Sequence, residues 1–145
     1  VLVVYVYDEI EREATGEAGH WWLHESLKKL ENSFKKEFKL DLIVIKGSAQ
    51  ESLSKLIKKY KINRVVWNRL YSKKSIIRDT KIKQDLKEKN IEVETFNAHL
   101  LNEPWEVQNN SGLYFKVFTP YWRKAFDVYK AKKYQITSLK SIDPP

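Results

Sequence analysis

The sequence predicts an α/β fold of three layers, a parallel Rossmann-like sheet with helices on both faces. Two observations carry this. Short apolar runs recur along residues 1–96 with helical stretches between them, and the order is strand then helix three times, then a strand. Alternation of this kind builds a parallel sheet whose faces are covered by the intervening helices, and right-handed crossovers limit the topology further.

Val1–Tyr7 is a continuous apolar run, as a strand covered on both faces requires. Asp8–Gly19 is polar, holds Gly16 and Gly19, and reads as a loop. From His20 the spacing turns helical: Leu23, Leu27, Leu30, Phe34 and Phe38 fall on one face, with Lys28, Lys29, Lys35 and Lys36 on the other. Leu42–Ile45 is a second buried-strand run, broken by Gly47 and Ser48. Leu53, Leu56, Ile57 and Tyr60 mark one face of a short helix. Val65–Trp67 is a third strand ending at Asn68, and Lys73–Lys89 is a charged surface helix with Ile77 and Leu86 on its inner stripe and Asn90 as its stop. Ile91–Phe96 alternates, so one of its faces is expected to be wet, as on an edge strand.

Beyond Phe96 regularity fades. Residues 97–112 read as an irregular excursion, Tyr114–Phe118 as a short extended piece, and Thr119-Pro120 as the cap and first residue of a helix reaching about Lys132. The expected division is one α/β domain over residues 1–133 and a linker over 134–145, whose closing Asp143-Pro144-Pro145 favours extended backbone. Opening inside a strand, with no methionine at position 1 or elsewhere, the chain is expected to lack its original N-terminal segment.

Composition excludes several classes. With 42% hydrophobic and 13% aromatic residues the chain is a folded one. The absence of cysteine removes disulfides, thiolate metal sites and a cysteine nucleophile, and makes a cytoplasmic protein the simplest reading. No apolar run approaches the ~20 residues needed to span a bilayer, so no membrane partner is expected. A net charge of +8 favours polyanionic partners.

In open parallel sheets, ligands sit beyond the carboxyl ends of the strands. That rule selects Asp8 and Glu9 after the first run, Gly47 and Ser48 after the second, Asn68, Arg69 and Tyr71 after the third, and Asn97 and His99 after the fourth. His20, Trp21 and Trp22 open the first helix at the same end. Such a rim can stack a flat ring and hydrogen-bond its edge, although each tryptophan is also a candidate core residue. No residue is assigned a catalytic role: neither a dinucleotide fingerprint nor a phosphate-binding Gly-Lys-Ser/Thr loop is present. His20 and His24 stand four apart without the metalloprotease order, so no metal site is assigned. Arg78 and Asp79 are neighbours on a helix, and their divergent directions argue against a salt bridge between them.

Four blocks together resemble the DNA photolyase/cryptochrome family, closest to photolyases that act on cyclobutane pyrimidine dimers. They are Gly19–Leu27 (with Trp21-Trp22-Leu23-His24), Trp67–Tyr71 followed by Arg78-Asp79, Phe96–Val107, and Tyr114–Arg123, in family order over most of residues 1–126. The resemblance implies the front α/β domain, which holds an antenna pigment (methenyltetrahydrofolate, a deazaflavin or a flavin). A helical domain carrying FAD and docking damaged DNA would follow. That domain holds the tryptophans that reduce the flavin, so none of the tryptophans here takes that role. The family's opening, mid-sheet strand has no counterpart in this sequence. The fragment alone is therefore expected to be a monomer that repairs nothing and binds pigment weakly or not at all. The resemblance also has departures. His20 stands where arginine is common, and Ser72-Lys73 replaces Glu-Pro. Lys74-Ser75 stands where some members use an Asn-Glu pair to hold the pterin, which argues against that mode of folate binding. In another branch a tryptophan of the Trp-Trp block stacks on the folate, a role open to Trp21 and Trp22. Two alternatives accompany the repair reading: a cryptochrome-type blue-light photoreceptor, and a small nucleotide- or nucleic-acid-binding α/β module.

Overall fold

In the computed structural model, which describes residues 1–8 and 15–132, the apolar runs become strands and the amphipathic stretches become helices. The order is β1 (Val3–Tyr7), α1 (Glu17–Phe38), β2 (Leu42–Lys46), α2 (Ala49–Tyr60), β3 (Arg64–Asn68), α3 (Lys73–Glu88), β4 (Glu92–Phe96) and α4 (Phe118–Ala131). The chain forms two compact units, one built on Val1–Ile62 and one beginning at Asn63. The ladders are β1 with β2 and β3 with β4, both parallel, as the βαβ order requires. Glu9 and the expected linker lie outside the described residues. Among the described residues no helix is long and apolar enough to cross a membrane.

In the first unit β1 and β2 run in register from Val3 opposite Leu42 to Tyr7 opposite Lys46. Helix α1 begins at Glu17, three residues before the hydrophobic spacing indicates. Gly16 caps it in an extended conformation, and the acid at Glu17 suits the positive end of the helix dipole. Its apolar stripe is half-buried at Leu23, Leu27, Phe34 and Phe38, and the deeper core lies just past the helix, at Leu40 and Leu42. Both helices of this unit stop on a lysine in the left-handed region, Lys39 (φ 57°) and Lys61 (φ 52°).

In the second unit β3 and β4 pair from Arg64 opposite Glu92 to Asn68 opposite Phe96. Helix α3 is capped by Ser72, whose hydroxyl accepts the Ser75 N–H at 3.1 Å. It buries Ser75, Asp79, Ile82 and Leu86. Leu86 thus lies inside as the sequence indicates, but Ile77 is 62% exposed. The buried line steps by three and four residues, and Ile77, two from both Ser75 and Asp79, falls about 200° round the helix. Asn90 ends the turn in the left-handed region, where asparagine is tolerated. The expected alternation of β4 does not appear: Val93, Glu94 and Thr95 are all half-buried. Polar partners hold them in, since Glu94 pairs with Arg64 and Thr95 with Lys83 and Arg69. Tyr114–Phe118 forms no strand. Phe118 instead opens α4, two residues ahead of the expected start, with Val117 at the cap. Pro120 remains within the first turn, where its lack of an N–H is harmless.

Candidate functional site

Two groups of sequence-selected residues emerge, one at the carboxyl end of each ladder. In the first unit, the Gly47 N–H donates to the Tyr7 carbonyl at 2.9 Å, so the turn after β2 extends the ladder. Gly47 sits at φ 130°, a conformation essentially closed to other residues. The Tyr7 ring meets His20 edge-on at 6.2 Å, which brings the first turn of α1 beside the end of β1 and next to Asp8. Trp21 and Trp22 follow there. They are not core: 64% and 70% of their surfaces are exposed. His24 lies 3.9 Å from Glu25, and no group of three or more potential metal ligands occurs among the described residues.

In the second unit, the ladder continues through the Arg69 N–H to the Phe96 carbonyl at 2.8 Å, so Asn68, Arg69 and Asn97 are adjacent. Arg69 reaches across the loop. Its Nε and Nη2 donate to the two oxygens of Glu103 at 2.7 and 2.9 Å, and its Nη1 donates to the carbonyl and hydroxyl oxygens of Thr95. Tyr71 donates its hydroxyl to the same Glu103 at 2.5 Å. Glu103 is buried, which a carboxylate tolerates when paired and hydrogen-bonded in this way. Trp105 lies over the Arg69 guanidinium at 5.6 Å and leans on Tyr71 at 6.2 Å. Asn97 is spent on its own turn, accepting the N–H groups of His99 and Leu100 and donating to the Leu100 carbonyl. Burial, and donation to Glu103, push the Tyr71 hydroxyl above its ordinary range. Burial pulls Arg69 down, but its interactions with Glu103 and Tyr71 outweigh it and hold the guanidinium above its usual value.

Two further observations concern α3 and α4. Contrary to the expectation from their adjacency, Arg78 and Asp79 do pair: Arg78 Nη2 lies 2.7 Å from Asp79 Oδ1. The long arginine side chain folds back along the helix surface, so neighbouring backbone directions do not decide the matter. The other Asp79 oxygen accepts the Trp67 indole N–H at 3.2 Å, which makes Trp67 an anchored, half-buried residue. Lys132, past the end of α4, donates to Glu106 at 2.7 Å and to the Leu101 carbonyl, tying that helix to the loop below β4. The bond from Lys132 holds the Glu106 carboxyl below its ordinary range, with the Glu103 N–H adding to the effect against burial. A depressed carboxylate stabilises the fold above its unfolded-state pKa and loses that contribution as pH falls through the folded-state value. Thermal melts of wild type and Glu106→Gln are accordingly expected to differ near neutrality and converge in acid below the ordinary glutamate range.

The sequence reading selected Arg69, Tyr71 and Asn97 but gave no role to Glu103, Thr95 or Trp105. The available signal is an acid set between Leu100-Leu101 and Pro104-Trp105, with a second acid at Glu106. Chemically, the second group is a braced loop with most polar ends already used. The first is an open aromatic corner, with two tryptophans exposed to solvent beside the Tyr7–His20 contact.

A DNA photolyase family profile matches residues 1–140. A deoxyribodipyrimidine photo-lyase of Agrobacterium fabrum is 36% identical over 123 residues, covering 85% of this chain and 25% of that protein. Cryptochrome-2 of Arabidopsis thaliana is 35% identical over 116 residues, covering 78% of this chain and 18% of that protein. The crystal structure of a bacterial class III photolyase from Agrobacterium tumefaciens superposes with a TM-score of 0.76 at 32% identity, over 92% of this chain and 26% of that one. The chain thus spans about a quarter of the length of the photolyases it matches.

Proposed function

Because the chain belongs to the DNA photolyase family, we propose that it is the antenna-pigment part of a light-driven flavoprotein that splits cyclobutane pyrimidine dimers in DNA. The observation that carries this reading is the exposure of Trp21 and Trp22 early in α1, directly after His20, whose ring meets Tyr7 at the carboxyl end of β1. Two large apolar rings left in solvent at a strand-end rim are the surface a flat chromophore would cover. A methenyltetrahydrofolate or deazaflavin bound there would absorb light and pass its energy onward. The residues of this chain would stack, orient and desolvate it. Edge recognition would fall to groups of the first unit at the carboxyl ends of β1 and β2, Asp8 and the carbonyl of Gly47 among them. The partners under this reading are a flavin-holding domain of the same protein and damaged DNA, in a cytoplasmic setting.

The test uses the full-length protein. Replacing Trp21 and Trp22 together by alanine is expected to weaken pigment retention by about tenfold or more, at ~0.5–1.5 kcal/mol for each aromatic contact. The flavin band should be unchanged. Full pigment occupancy in the double variant would remove the reading. The similarity to plant cryptochromes supports a second reading, a blue-light photoreceptor. Under blue light, dimers that persist in DNA while the flavin becomes reduced would favour the photoreceptor over the repair enzyme.

A further inference from the structure

Helix α4 carries a row of rings that the pigment reading does not use. Phe118 and Trp122 lie 6.2 Å apart with planes 14° from parallel, and Trp122 and Phe126 lie 5.6 Å apart at 17°. Lys130 closes the row, its ammonium 4.3 Å from the Phe126 ring centre. The i, i+4 spacing lines these four residues along one side of the helix. The row faces water: Phe118 is 71% exposed, Trp122 53% and Phe126 39%. Arg123, seven residues before Lys130, shares the outer side of the row. Residues 114–132 hold five cations (Lys116, Arg123, Lys124, Lys130 and Lys132) against one anion, Asp127. That is +4, half the net charge of the whole chain.

We infer that this face of α4 is a docking surface for single-stranded nucleic acid, with bases stacking on the Phe118–Trp122–Phe126 row and phosphates meeting Lys116, Arg123 and Lys130. A line of nearly parallel rings ends in a free ring face at Phe118, which a flat base extends. The flanking cations select a partner that is both aromatic and polyanionic. A duplex keeps its base faces covered, so the row discriminates in favour of single strands. A second copy of this chain would bring an equally cationic face, and like charge opposes that pairing.

The test is fluorescence anisotropy of a labelled thymidine oligonucleotide of about 16 nucleotides, titrated with the 145-residue chain. Binding is expected to weaken with salt, with a log–log slope of about −2 for three phosphate contacts. Trp122→Ala should weaken it by about 5- to 100-fold, the loss of one base–aromatic stack. Trp122→Phe, which keeps a ring, should recover most of the affinity. Trp122 is half-exposed, so unchanged circular dichroism melts are expected to show that both variants fold. No binding, equal binding of the duplex form, or an unaltered affinity for Trp122→Ala would each overturn the inference. So would phosphatidylserine vesicles taking up the chain in a Trp122-dependent way while the oligonucleotide does not. Trp122-dependent dimers in sedimentation, without oligonucleotide binding, would point instead to a contact between copies and equally overturn it.

Discussion

Replacing Glu103 by alanine is expected to destabilise the second unit by about 3 kcal/mol, the loss typical when one partner of a largely buried ion pair is removed. Glu103 is buried and receives two bonds from Arg69 and one from Tyr71. Without it the guanidinium, three-quarters shielded from water, keeps its charge but loses its only carboxylate partner among the described contacts, leaving neutral groups of Thr95 and Tyr71. Urea unfolding followed by tryptophan fluorescence measures the loss, and Trp105, lying over Arg69, reports the same loop directly. Removing both charges in Arg69→Met/Glu103→Leu should restore much of the stability, because a buried pair contributes little net free energy relative to apolar groups of similar size. A single variant as stable as wild type would mean that the network does not hold the loop.

Leu86→Ala is the second large effect, expected to cost about 3 kcal/mol from lost transfer energy and the cavity left behind. Leu86 is the most completely buried apolar side chain of α3, on the line with Ser75, Asp79 and Ile82. Leu86→Met preserves volume and should cost less than about 1.5 kcal/mol. Ile77→Ala, on the opposite side of the same helix, should stay within about 0.5 kcal/mol of wild type. The contrast between two aliphatic residues of one helix tests which face packs inward.

The strands were legible because each is a local event: a handful of apolar residues bounded by Gly47, Asn68 or a polar loop. The helices are legible in existence and mostly in phase, as Leu27, Leu56 and Leu86 show, but not at Ile77. Ile77 is as hydrophobic as Ile82, and only the neighbouring β-strands decide which of them turns inward. The start of α4 was misread for a related reason, since Thr119-Pro120 is a good local cap signal that Phe118 overrides. That Trp21 and Trp22 follow the end of β1 in sequence is legible, but their exposure depends on what packs nearby. The Arg69–Glu103 brace spans 34 positions of sequence, and no spacing rule reaches that far. Arg78 and Asp79 show the opposite limit: adjacency fixes backbone directions, whereas a flexible arginine does not have to follow them.

The two helix-ending lysines bear on the order in which the first unit assembles. A lysine at positive φ costs roughly 1–2 kcal/mol, so neither terminus is favoured by its own residue. What offsets the cost arrives from outside the helix: the Leu40 N–H closes onto the Phe34 carbonyl while its side chain is buried, and the Ile62 N–H closes onto Ile57. Helix length here is therefore settled by docking rather than by nucleation. The last turns of α1 and α2 should form late, fray first, and exchange their amide hydrogens sooner than the helix middles.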